Sequence, residues 1–239
     1  GITTPPEGNL RTMAEWEQVD YLLVTWVPSY SGTLTNIVAA ATQECKVLII
    51  TPNPTNVESV LQNSSAIMDS VEFLVRNYNT IWIRDYAANS VYKDFNDSLI
   101  LVDWIYNRPR PLDNSSPSAA ADQLGIPLYQ MTTPPTDVIG TGGNFMSDGF
   151  GTAFSSKLIL DENGLGNGFG VTPKTEADID QIFSDFMGIS NYIKMENLPY
   201  DDIDHIDMHM KLLDEETLLV SEYPPGVADG PQIEANIQY

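Results

Sequence analysis

From residue 80 onward one order of elements recurs along the chain, and this repeat limits the fold more than any single motif does. The first copy is a hairpin, IWIRDYAANSVYKDFNDSLILVDWIYN (81 to 107), turning at the polar DFND, then a helix, SPSAAADQLG (116 to 125), and a strand, PLYQM (127 to 131). The second copy has the hairpin NFMSDGFGTAFSSKLIL (144 to 160), the helix TEADIDQIFSDFMG (175 to 188) and the strand YIKME (192 to 196). In that helix Ile179, Ile182, Phe183 and Phe186 fall on one face. A third copy supplies HIDMHMKLLDEETLLVSEYP (205 to 224), a hairpin around DEET, and a helix starting at Pro231, a favoured first-turn residue. Asp85, Asn144 and Asp207 mark the same point of each copy, 59 and 63 residues apart. Units of this kind bury their apolar faces against their neighbours, so the pattern predicts an α/β array with about 60 residues per unit, roughly four units in all. The last helix reaches Tyr239 without a capping signal. From this we expect a further C-terminal piece, present as a missing segment or a companion chain.

Upstream of the repeat, YLLVTWV (21 to 27) and KVLIIT (46 to 51) read as buried strands around the helix-like LTNIVAAATQE (34 to 44). NVESVLQN (56 to 63) follows as a helix and VEFLV (71 to 75) as a strand, which is βαβ logic. Residues 1–12 form an extended N-terminal arm, and residues 13–239 an incomplete α/β domain. Hydrophobic residues make up 42% of the 239-residue chain, enough for a sizeable core. No apolar run approaches the ~20 residues of a membrane span, and residues 1 to 20 lack a signal-peptide pattern. A net charge of −22 repels nucleic acid and anionic membranes and attracts cations, although acidity also serves solubility. The lone Cys45 begins an apolar strand, so it reads as a buried structural thiol and excludes an internal disulfide.

Four segments carry candidate chemistry. Asp85 in NTIWIRDYAANS stands at the end of an apolar strand, where a carboxylate suits a cation or pairs with Arg84. Trp82 would face the opposite side by strand alternation unless a bulge intervenes. In DWIYNRPRPLDN, Arg108 and Arg110 are stiffened by Pro109 and Pro111 into two forks suited to a carboxylate or phosphate, or else pair locally with Asp103 or Asp113. The glycines of IGTGGNFMSDGFG lack a nucleotide-loop pattern, leaving Asn144 to orient a substrate or to serve as turn chemistry. In DDIDHIDMHMK, His205 and Asp207 share a face if the backbone is extended, pairing a proton carrier with a carboxylate. The crowding of Asp202, Asp204, His205, Asp207 and His209 also admits a metal site or a structural histidine, although no zinc signature accompanies it.

WIRDY, YNRPRP, TGGNFMSDGFG and HID, in this order and spacing from about residue 13 to 239, resemble the guanidino-group-modifying enzyme superfamily. Its fold is the pentein-type α/β-propeller of five ββαβ modules, and about four would lie in this chain. The YNRPRP and GGNFMSDG segments are most similar to the secreted bacterial peptidylarginine deiminases, which are related to the agmatine deiminases. The resemblance implies hydrolytic deimination of peptidyl-arginine, preferably a C-terminal arginine, to citrulline and ammonia through a thiouronium intermediate. It implies that Asp85 and Asp207 bind the guanidinium and that His205 is the general acid/base. Trp82 and Ile203 would line the pocket, and Arg108 and Arg110 would hold the C-terminal carboxylate. No cofactor is required, while the many aspartates leave a structural calcium ion open. The nucleophilic cysteine of the family has no counterpart after Cys45, so the chain by itself is expected to be inactive. Asp202 also departs from the relatives, which tend to carry an aromatic there. An agmatine or free-guanidine deiminase and a non-catalytic arginine-binding module are the two alternatives. The resemblance points to a secreted or periplasmic location, and the composition equally allows a cytoplasmic one.

Overall fold

In the computed structural model, which describes residues 1–94 and 98–238, the described residues form four small sheets. A short strand, β1 (Leu10–Thr12), precedes the first sheet, which is built from β2 (Tyr21–Thr25), α1 (Ser31–Ala41), β3 (Lys46–Thr51), α2 (Pro54–Leu61) and β4 (Val71–Val75). The three strands are parallel in the order β2-β3-β4, with Leu22 opposite Val47 and Val47 opposite Val71. Val47, Leu48, Ile49 and Ile50 are fully buried, as expected of a central strand covered on both faces.

The next unit comprises α3 (Ile83–Tyr86), β5 (Asn89–Lys93), β6 (Ser98–Tyr106), α4 (Pro111–Asn114), α5 (Ser116–Leu124), β7 (Leu128–Met131) and β8 (Ile139–Gly140). Its sheet runs β1-β5-β6-β7, with β8 continuing beside the C-terminal part of β6. Residues 95–97 of the expected DFND turn lie outside the described residues. Leu10–Thr12 of the N-terminal arm pair with Lys93–Val91, and Ile2 bridges to Tyr129.

The third unit, β9 (Met146–Ser147), β10 (Thr152–Ser156), α6 (Leu158–Asp161), α7 (Glu176–Met187) and β11 (Asn191–Met195), gives a sheet in the order β11-β10-β9. The Leu158–Leu160 stretch, read from sequence as strand, is helical, and β10 ends at Ser156. Helix α7 starts on a capping box, with Thr175 accepting from the Asp178 N–H and Asp178 accepting from the Thr175 N–H. It ends at Gly188, whose φ of 69° and close approach to the Leu10 carbonyl favour glycine. The face carrying Ile179, Ile182, Phe183 and Phe186 is buried, and Phe183 packs with Trp104 and Phe145 at ring distances of 6.3 and 5.8 Å. This cluster joins the second and third units through one core. The last unit has β12 (Met210–Leu212), β13 (Leu218–Val220) and α8 (Gly230–Ile237), so the third hairpin is shorter than its sequence pattern. No helix among the described residues is long and apolar enough to cross a membrane.

Candidate active site

The three residues that mark the sequence period stand in corresponding places: Asp85 on the α3 turn, Asn144 on the 3-10 turn Gly142–Asn144, and Asp207 on the 3-10 turn Ile206–Met208. These turns open the second, third and fourth units, and the middle one packs against both others. The first is moored by Tyr86, a buried side chain whose hydroxyl donates to the Thr80 carbonyl at 3.0 Å and lies 2.5 Å from the Thr25 hydroxyl. Thr25 closes β2, so α3 sits at the C-terminal end of the parallel sheet. The other two turns are joined by Asn144, whose Oδ1 accepts from the Ser156 N–H at 2.8 Å and the Ile206 N–H at 3.0 Å.

At this junction His205 is buried, with Nδ1 3.7 Å from Asp85 Oδ1 and Nε2 without a hydrogen-bond partner among the described residues. Asp85 Oδ1 also accepts from the Gly143 N–H at 3.3 Å. The approach needs two glycines: a Cβ on Gly143 would lie 2.3 Å from His205 Nδ1, and one on Gly142 would lie 1.9 Å from the Arg84 carbonyl. Burial lowers the His205 pKa, while the Asp85 charge opposes the shift, so the ring is neutral near pH 7 with one nitrogen able to accept a proton. The Asp207 carboxyl is pushed up to about 6, first by loss of hydration. Arg84 pulls it down, and Asp85 and Asp201 push it further up. Asp207 nevertheless keeps an exposed surface, so its desolvation is one-sided rather than complete.

Sequence reasoning placed these groups on strands, and the local conformations differ. Asp85 lies on a helical turn, not at a strand end, so alternation does not govern Trp82, which precedes the turn and is 57% exposed. Nor are His205 and Asp207 on one face of extended chain: His205 precedes the 3-10 turn and points inward, whereas Asp207 lies within it and is exposed. Ile203 is exposed two residues before His205. Arg84 does not pair with Asp85; it donates to the Gly142 and Phe145 carbonyls, each at 2.9 Å, and pairs with Glu15. Asn144 is buried, with its amide committed to backbone groups. The acidic crowd is split, with His209 buried beside Asn236 and Asp202 exposed, and no group of three or more metal-type ligands is assembled among the described residues.

Arg110 donates to the Tyr106 hydroxyl at 2.8 Å and Arg108 to the Asn107 carbonyl at 3.2 Å; among the described residues neither pairs with a carboxylate. Asp103 instead accepts from Gln130, and Asp113 from Asn79 and Thr80. The Arg108 charge acts on both His205 and Glu162, which places the YNRPRP loop beside the site. Glu162, raised to about 7 by burial and held by Asn107 at 2.9 Å, was not singled out from sequence; nor were Arg84 and Gly143. A lone glutamate after an apolar run carries no local signal, whereas Arg84 and Gly143 stand within the motifs already marked. Cys45 lies at the opposite end of β3 from Thr51, about 20 Å along the strand, and its thiol is half-buried rather than fully buried.

Solved structures share this fold. The C. jejuni agmatine deiminase superposes with a TM-score of 0.73 at 22% identity, over 96% of this chain and 69% of its own. The Enterococcus faecalis agmatine deiminase gives 0.80 at 16% identity, over 98% and 68%. A Porphyromonas gingivalis protein provisionally described as an arginine deiminase gives 0.80 at 17% identity, over 96% and 71%. Residues 11–236 match the Porphyromonas-type peptidyl-arginine deiminase family, and the chain belongs to that family of guanidino-group-modifying enzymes.

Proposed function

We propose that the chain carries the guanidinium-binding and proton-transfer half of a peptidylarginine deiminase site. The observation that supports it best is the junction of Asp85, His205 and Asp207, drawn from units 120 residues apart in sequence yet brought to one place. Two carboxylates bracket a planar cation, with Asp85 held by Gly143 and Asp207 ionised above about pH 6. Neutral His205 takes and returns the proton. A thiolate adds to the guanidinium carbon, the C–N bond breaks, and protonated nitrogen leaves as ammonia. Water then displaces sulfur from the thiouronium, giving citrulline and the free thiol. Cys45 is too distant for that attack, so we place the nucleophile outside these 239 residues and expect the chain alone to bind without turnover.

Arg108 and Arg110 are assigned to the carboxylate of a C-terminal arginine, with Trp82 and Ile203 at the pocket edge. The family match and the two guanidinium groups, which pair with no carboxylate among the described residues, support this reading. The second reading, an agmatine deiminase, draws on the structural likeness to the agmatine deiminases of C. jejuni and Enterococcus faecalis. Agmatine has no carboxylate. In the full-length enzyme, Arg108→Ala is expected to lower kcat/KM for a C-terminal-arginine peptide by roughly ten- to a hundredfold, the range of one charge-assisted contact, and to leave agmatine nearly unaffected. Equal losses on both substrates would remove Arg108 from the substrate-binding role.

A further inference from the structure

Arg84 is a cation at the junction that the reading above leaves without a task. Its Nε donates to the Gly142 carbonyl and its Nη2 to the Phe145 carbonyl, both at 2.9 Å, so one planar fork spans the ends of the turn that supplies the Gly143 N–H to Asp85. The same guanidinium contacts Glu15, which also contacts Lys211, immediately before Leu212 on β12. Arg84 lies with Glu15, Gly142 and Phe145 along a cleft of about 350 Å³. Its charge acts on both Asp85 and Asp207. Two carboxylates facing one site repel each other while no substrate cation is bound, and a fixed positive charge nearby offsets that repulsion.

We propose that Arg84 is a positioning residue with two separable roles: its fork fixes the Gly142–Phe145 turn under Asp85 and His205, and its charge offsets the mutual repulsion of the two carboxylates before the substrate arrives. This rests on the guanidinium-binding reading of Asp85 and Asp207. A purely structural arginine would do only the first. The charged groups acting on Asp207 are Arg84 and Asp85 from α3 and Asp201 from the loop before the 3-10 turn, with Glu15 and Lys211 flanking Arg84 itself.

Two variants separate the roles in the full-length protein. Arg84→Gln removes the charge, whereas Arg84→Lys keeps the charge and loses the planar fork. The Asp207 carboxyl is followed by carbon-detected NMR titration, and the acid limb of kcat/KM is measured in parallel. Arg84→Gln is expected to move the Asp207 midpoint and the acid limb upward by about one pH unit, a tenfold loss of kcat/KM on the acid side. Arg84→Lys should leave the midpoint in place and lower kcat. If Arg84→Gln does not fold, Glu15→Gln provides the opposite sign: freed of its counter-charge, Arg84 should draw the Asp207 midpoint down. An Asp207 midpoint unmoved in Arg84→Gln, or in Glu15→Gln where that variant has to serve, would overturn the charge role. The NMR readout does not depend on turnover. Absence of deimination in the wild type would therefore count against the function, and a static midpoint against Arg84.

Discussion

Asp207 and His205 stand two residues apart yet meet opposite environments, because the 3-10 turn that begins at Ile206 sends one side chain inward and leaves the other at the surface. Their proposed tasks differ accordingly and can be told apart. Asp207→Asn should abolish both binding of an arginine-terminated peptide and turnover, since the amide keeps the shape and loses the charge. His205→Gln should bind nearly as the wild type does and turn over at least a hundredfold more slowly, the lower range of a lost general acid/base. Calorimetric binding beside ammonia release measures both. The pH dependence has a defined sign: Asp207, raised to about 6, is neutral below that value, so peptide affinity should fall about tenfold per pH unit under pH 6 and level off above it. Affinity that is flat across pH 5 to 7 would show that Asp207 does not face the cation. Gly142 and Gly143 belong to the same scale, since their lack of a Cβ lets Arg84, Asp85 and His205 approach one turn.

Among the elements, β6 carries the most unusual group, Asp103, buried at 5% exposure with Gln130 donating to it at 3.0 Å. Burial pushes its carboxyl up to about 7. An acid whose folded pKa is raised favours the fold below its unfolded value, and that contribution is lost as pH rises from about 4 through about 7. Asp103→Asn, which mimics the neutral form, should match the wild type in urea unfolding at pH 4 and exceed it at pH 8 by on the order of 2 to 4 kcal/mol. Equal stabilities at both pH values would mean that water reaches the carboxylate. The position also bears on the candidate site, because β6 leads directly into the loop of Arg108 and Arg110. At its end the Tyr106 N–H is held by Asn114 and the Asn107 amide by Glu162, so the loop starts from a fixed strand.

At the scale of the whole molecule, 33 acidic against 11 basic residues accompany the junction proposed to bind a cation. The field should speed encounter with cationic peptides and weaken with salt, so KM should rise several-fold between about 0.05 and 0.5 M NaCl while kcat stays level. A KM independent of salt would confine the acidity to solubility. The sequence by itself determined the order of elements, the capped helix α7 with its buried face, and the recurring position of Asp85, Asn144 and Asp207, because periodicity, caps and repeats are local properties of the chain. It also carried the resemblance to the family, which the family match bears out. Only the tertiary structure decided that the three marked positions are helical turns, that Asn144 spends its amide on the backbone of Ser156 and Ile206, and that Arg84 turns from its neighbour Asp85 to carbonyls 58 and 61 residues away. Those choices depend on which backbone groups the packed units leave without partners, and that is settled only when the units close on one another.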